Sequence, residues 1–246
     1  MHIKTIIIPV LLLFTLSSFA QNRTYLGIEA GPKFEVYDHV DNGEALYTKP
    51  FFFSPIFGVT VGQVINNIFT VETGFFVNDY GESYRIRGDI GWTSVSGIIA
   101  YQIPLRLKAR LDLIKDRLSL VSTIGYTLAI NNDYGYDAYG SSLSTSSLPG
   151  FNQRTETVDT SRYLKNTYGM LETGLALEYE FKNALSLYLS ANYLRGFSRV
   201  TEIDVRYRID NGPEQSGTVF SNGDYYSVVM GVRYPISNLW MKKREI

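Results

Sequence analysis

Cysteine is absent from all 246 residues. This excludes a disulfide framework and any thiolate metal site. Histidine is nearly absent: besides His2, close to the start, there is only His39. Neither sign of charge dominates, with 23 basic against 24 acidic residues and a net charge of -1. That balance argues against a nucleic-acid partner. Beyond the first twenty residues no apolar run reaches the ~20 residues of a membrane-spanning helix.

Met1 to Ala20 reads as a cleavable export signal. Lys4 supplies the positive start, Ile6 to Leu16 the apolar stretch, and Ser18 and Ala20 the small residues before a cut ahead of Gln21. No cysteine follows that cut to carry a lipoprotein anchor. Residues 21–246 have the length of one domain.

Tyrosine and phenylalanine are plentiful, at 19 and 14 residues, and eight stretches alternate bulky apolar residues with small or polar ones. The first runs about Thr24 to Asp38, with Leu26, Ile28, Ala30, Phe34 and Val36 opposite Gly27, Glu29, Gly31, Lys33 and Glu35. Pro32 interrupts it and predicts a local bulge. The others are about Phe52 to Val64, Ile68 to Asp79, Trp92 to Lys108, Leu118 to Asn131, Thr167 to Phe181, a strand beginning at Leu185, and Tyr225 to Ile236. In each, the apolar phase is bulky and almost free of charge. A soluble barrel would hide that phase and cover its outside with Lys and Glu. Here the small phase fits a narrow lumen and the bulky phase fits lipid.

Connections alternate in length: short after strands two, four and six, long after one, three, five and seven. Asn66-Asn67 is one of the short turns, and the Asn132–Asn166 stretch is the longest loop. The pattern predicts an all-β, eight-stranded, antiparallel up-and-down transmembrane β-barrel with long extracellular loops and short periplasmic turns. The expected location is the outer membrane of a diderm bacterium, with membrane lipid around a monomeric barrel. Ten strands remain an alternative if the Tyr80–Gly91 or Glu202–Phe220 segments span the membrane. Their charges oppose it, because a lipid-facing Arg or Lys near mid-bilayer costs about 2–4 kcal/mol.

Inward positions carry Glu29, Glu35, Glu72, Glu172, Glu178 and Glu180 against Lys33, Arg106, Lys108 and Arg233. Buried charges must pair. The expectation is a network that plugs the lumen, built on Glu29, Lys33, Glu72, Arg106, Glu172, Glu178 and Arg233. A proton or ion path through these groups is the alternative.

No catalytic residue, cofactor or metal is expected. His39 stands beside Asp38 and near Asp41 in the first long loop, and no serine sits in a nucleophile motif. A hydrolase centred on His39 is the least favoured reading. The segment Glu202 to Asp210 places Ile203, Val205, Tyr207 and Ile209 on one face and charges on the other, before an Asn211-Gly212 hairpin signal. This predicts a ribbon rising above the membrane. Its apolar face either docks a partner protein by strand addition or is covered by the Asn132–Asn166 loop.

Tyr101-Gln102-Ile103-Pro104-Leu105-Arg106-Leu107-Lys108 resembles the Tyr-x-x-Ile-Pro-Leu-x-x-Lys strand of the PorT-like outer-membrane proteins, a porin-type family. Leu26-Gly27-Ile28-Glu29-Ala30-Gly31 resembles that family's first strand and Gly231-Val232-Arg233-Tyr234 its closing strand. The resemblance implies a non-enzymatic integral outer-membrane barrel and a secretion-accessory role. From the residues, the leading function is interaction through the extracellular loops. A small channel for ions or solutes is the alternative.

Overall fold

The computed structural model describes residues 23–48, 53–88, 93–115, 117–132, 137–148, 151–182 and 185–236. The export signal expected over Met1 to Ala20 lies outside them. Every regular element described is a strand: β1 (Thr24–Glu35), β2 (Asp38–Asp41), β3 (Leu46–Thr48), β4 (Phe53–Ile65), β5 (Phe69–Ile86), β6 (Thr93–Ile114), β7 (Leu118–Asn131), β8 (Asp137–Leu148), β9 (Phe151–Tyr163), β10 (Thr167–Glu180), β11 (Ser186–Gly196), β12 (Thr201–Ile209), β13 (Gln215–Ser221) and β14 (Tyr225–Pro235).

Eight of them close on themselves. The order β5-β4-β1-β14-β11-β10-β7-β6 is completed by pairing of β5 with β6, and all these pairs are antiparallel. The alternation seen in sequence is the cause. Along β14 the burial alternates residue by residue, with Tyr226, Val228, Met230 and Tyr234 exposed and Ser227, Gly231 and Arg233 buried. A period of two puts each set on one wall. The exposed set continues around the outside through Leu26, Ile28, Phe57, Val59, Leu105, Ile124, Leu175 and Leu189. A contiguous apolar belt of this extent is foreign to a water-soluble surface and suits hydrocarbon. Aromatic pairs lie towards both ends of the belt: Tyr193 stacks on Tyr226 at 4.7 Å and Phe75 on Tyr101 at 5.7 Å, and Tyr179 meets Phe181 edge-on at 4.9 Å.

The short connections and Thr24 lie at one end. Asn66 and Asn67 both take positive φ, 52° and 57°, in a turn closed by the Ile68 N–H on the Ile65 carbonyl, between the paired residues Ile65 and Phe69. The bulge expected at Pro32 does not occur. Pro32 lies opposite Pro55 in an unbroken register with β4, and the register with β14 is the same on both sides of it. The proline removes ladder bonds without inserting a residue. Bulges fall instead at Tyr80/Gly81 and Asp112/Ile114.

At the other end the chain builds a second sheet, β2-β13-β12-β9-β8, above the barrel mouth. Strands β5 and β6 run past the membrane belt, as the alternation within Tyr80–Gly91 implied, and β3 pairs with the extension of β5. Between the layers sits a hydrophobic core of Tyr37, Ala45, Leu46, Tyr84, Ile86, Ile203, Val205, Tyr207 and Val219.

This core corrects the expectation for the ribbon. Ile203, Val205 and Tyr207 are buried and Ile209 packs against the same cluster, so the ribbon offers no free apolar face. Both edges of β12 are occupied, by β9 and β13, so no strand can add there. The long-loop hairpin β8–β9 does meet the ribbon, but edge to edge. The face is covered by β3 and the raised end of β5.

Close approach fixes one barrel residue. A Cβ on Gly31 would lie 2.7 Å from the Val229 Cα and would also collide with the Val228 carbonyl oxygen. Both atoms are backbone and cannot turn aside. Gly31→Ala is expected to cost at least about 1–3 kcal/mol. Urea titration of the barrel in detergent micelles checks this; an unchanged midpoint would remove the close-approach account.

Candidate functional site

The inward wall near the terminus-bearing end carries a dense ionic layer. Arg106, on β6, is its centre. Its Nε and Nη2 grip the Glu172 carboxylate at 3.0 and 2.9 Å, a two-pronged fit that guanidinium geometry favours. Its Nη1 reaches Glu29 at 3.2 Å and Glu72 at 3.1 Å. Glu72, fully buried, also meets Lys108 at 2.5 Å, the Tyr25 hydroxyl at 2.6 Å and Arg233 at 3.5 Å. Arg233 donates to Glu178 at 2.5 Å. Thr127 donates to Glu172 at 3.1 Å. Four carboxylates (Glu29, Glu72, Glu172, Glu178) thus face three buried cations (Arg106, Lys108, Arg233). The fourth positive charge is Arg110, 4.0 Å from Glu178 towards the barrel end.

Register explains the convergence. Glu72 lies opposite Arg106, and Arg106 opposite Gly125, which faces Glu172 on the next strand. Gly125 leaves the space across which Arg106 reaches Glu172. Aromatic rings fill the spaces over other inward glycines: Tyr25 over Gly62, Tyr188 over Gly231, and Phe76 over Gly58. The same rings face the cations, with the Arg233 guanidinium 4.0 Å from the Tyr188 ring and Arg106 4.8 Å from Phe76.

Six of the seven residues expected in the lumen network therefore meet in one layer. Lys33 does not belong to it. It sits four residues beyond Glu29 on β1, about 13 Å along the strand, and there bonds Glu35 at 2.6 Å and Asn78 at 2.9 Å. Its ammonium lies 3.7 Å from the Tyr80 ring centre. The Tyr37 hydroxyl lies between the Glu35 carboxylate and the Gly81 carbonyl. Around this pair the lumen is apolar and aromatic: Ile56, Phe76, Tyr80, Ala100, Tyr168, Met170, Leu194, Tyr225 and Val229. Tyr225 bonds Gln102 at 2.7 Å and Tyr168 bonds Tyr80 at 2.6 Å. Sequence reading overlooked this second layer, and also the part played by Tyr25 and Tyr188. The signal was present: Tyr25, Phe76, Tyr80, Tyr168, Tyr188 and Tyr225 all fall in the inward phase of their strands.

A vestibule of about 360 Å³ opens at the terminus-bearing end, lined by Arg23, Lys108, Arg110, Glu178, Glu180 and Arg233 among others. It leads to the ionic layer, where a gap of only about 10 Å³ remains beside Arg106, Glu172 and Tyr188.

Above the mouth, Asp41 organises the bend between β2 and β3. It accepts from the backbone N–H of Gly43 at 3.1 Å, Ala45 at 2.6 Å and Leu46 at 2.7 Å, and from the Tyr207 hydroxyl at 2.8 Å. Burial pushes the Asp41 carboxyl up, but these donors outweigh it and hold it below the usual aspartate range. Tyr207 is pushed up to about 12 by burial and by the neighbouring carboxylate. His39 lies exposed on β2, opposite Val219. Its ring makes no polar contact with the described residues.

No protein-family model matches the sequence, and no curated protein matches it. Solved structures are similar to it over most of the chain. The N-terminal β-barrel domain of OprF from Pseudomonas aeruginosa is 10% identical, with 87% of this chain and 100% of that one covered and a TM-score of 0.38. OprG from the same organism is 9% identical over 87% and 97%, with a TM-score of 0.43. A major outer membrane protein from Thermus thermophilus is 12% identical over 86% and 98%, with a TM-score of 0.44. These likenesses concern the fold alone. By its own closure, belt and pairing the chain is an eight-stranded antiparallel barrel of the outer-membrane type.

Two outcomes are expected here. Arg106→Ala strands Glu29 and Glu172 and takes one of three cations from Glu72, and breaking a buried ionic group by removing one partner costs about 3–5 kcal/mol. Urea unfolding in micelles measures it. Arg106→Lys should recover little, because one ammonium cannot reproduce the fork on Glu172. Asp41 has its lowered value in the folded state. Its stabilisation is therefore complete above the ordinary aspartate value of about 4 and is lost as the pH falls through the lowered value. Amide protection at Gly43, Ala45 and Leu46, taken relative to the intrinsic exchange rate at each pH, should fall on acidification, and in Asp41→Ala at neutral pH.

Proposed function

We propose that this chain is a non-enzymatic outer-membrane protein whose work is done by the sheet held above the barrel mouth. In the outer membrane, the end with the short turns faces the periplasm and the second sheet faces the outside. The observation that carries the reading is the ionic layer. It spans the lumen with paired charges and leaves about 10 Å³ beside them, and an eight-stranded barrel is just wide enough for side chains to fill. With the lumen filled, the ordered outer sheet is the surface left for function. Interaction with a protein partner through that sheet fits it, and the resemblance of the Tyr101–Lys108 strand to PorT-like proteins supports an accessory role in a secretion apparatus.

A small channel is the second reading, favoured by the vestibule of about 360 Å³. Planar-bilayer recording separates the two. The purified barrel is expected to show no stable unitary current, and Arg106→Ala to show leak or instability. A steady, large current from the unaltered protein would overturn the closed-lumen reading.

A further inference from the structure

We infer that the outer edge of β8 is a strand-addition site for an extended peptide segment of a protein partner. The inference rests on the interaction reading above and names its surface. Among the described strands β8 pairs with β9 alone, and it ends the order β2-β13-β12-β9-β8. No backbone hydrogen bond joins it to any other described residue. Among the described residues, one side of this twelve-residue strand is thus a row of main-chain donors and acceptors without a strand partner. Such a row is a template on which another extended backbone pairs in place of water.

The two edges of this sheet differ. The β2 edge is four residues long and bounded by Asp38 and Asp41. Short length and charge are the usual guards against unwanted pairing. The β8 edge is three times as long, carries a single charged residue, Asp137, and has no proline within it. It also carries an apolar stripe. Tyr139 is 79% and Leu143 62% exposed, and Val158, opposite Ser141 on β9, is 43% exposed on the same outer face. The inner face alternates with it in small polar groups, where the Ser142 and Thr157 hydroxyls meet.

These features define the occupant. Its outward positions are aliphatic or aromatic, to extend the Tyr139–Leu143–Val158 stripe, and its inward positions are small. It carries few carboxylates, since the strand it joins ends in Asp137. A second copy of this chain is the competing occupant, and the light-scattering arm of the test reads it.

The test uses the full-length protein folded in micelles and two synthetic peptides. One alternates Val and Thr with a Lys at each end; the other has proline at two central positions. Fluorescence anisotropy reads binding, and amide exchange reads β8. The alternating peptide is expected to bind and to slow exchange along β8, while the proline peptide does neither. Tyr139→Lys with Leu143→Lys should weaken binding by about tenfold, the sum of two cross-strand contacts. Both side chains are exposed, and the urea midpoint verifies that the double variant folds. Absence of binding, or equal binding of both peptides, overturns the proposal. So does a dimer by light scattering that the double variant dissolves, which would assign the edge to a second copy. A stoichiometric partner that co-purifies equally with the wild type and the double variant would overturn the β8 site while leaving the interaction reading in place.

Discussion

Arg106 is the residue on which the barrel interior depends. One guanidinium is shared by three carboxylates from three different strands, β1, β5 and β10. In a lumen with little room for water, none of these charges has an alternative solvent. Each must find its partner within the wall, so the charges fix which strands face one another. Glu72 extends the constraint to Lys108, Arg233 and Tyr25. The glycines follow from the same requirement. Several of the long side chains and rings occupy space left by a facing glycine, as Tyr25 does over Gly62, Tyr188 over Gly231 and Phe76 over Gly58.

Two solvents shape the chain along its length. Through the membrane belt the apolar phase faces out and the polar phase in. Above the mouth the order reverses. Ile203 and Val205 turn inward to a core while Arg206 and Arg208 face water. The reversal needs no break in alternation. Lipid ends, and the apolar set of β12 meets Tyr84 and Ile86 from the raised end of β5 instead. The polar clasp of Asp41 on Gly43, Ala45, Leu46 and Tyr207 then ties β2, β3 and β12 together. The outer sheet is therefore a structured platform with its own core, packed against the raised end of β5.

A filled lumen and a structured platform are the two features on which the proposed interaction role rests. The ionic layer joins strands across the lumen. The vestibule below it ends on charges that already have partners.

The period-two alternation was enough to determine the eight barrel strands, their lipid and lumen faces, the hairpin at Asn66-Asn67 and the set of charges that would need partners. Those properties are local: a residue's face follows from its place in the alternation. The partners were a different matter. Lys33 and Glu29 share a phase, yet one pairs with Glu35 and the other with Arg106, because height in the barrel depends on strand register and alternation carries no register. The aromatic layer of Phe76, Tyr80, Tyr168 and Tyr225 was legible by phase but was hidden by the expectation that a lumen is polar throughout. The fate of Ile203, Val205 and Tyr207 was decided only in three dimensions. An amphipathic ribbon looks the same in sequence whether its apolar face meets a partner or the raised end of β5, and only the folded chain shows which surface reaches it first.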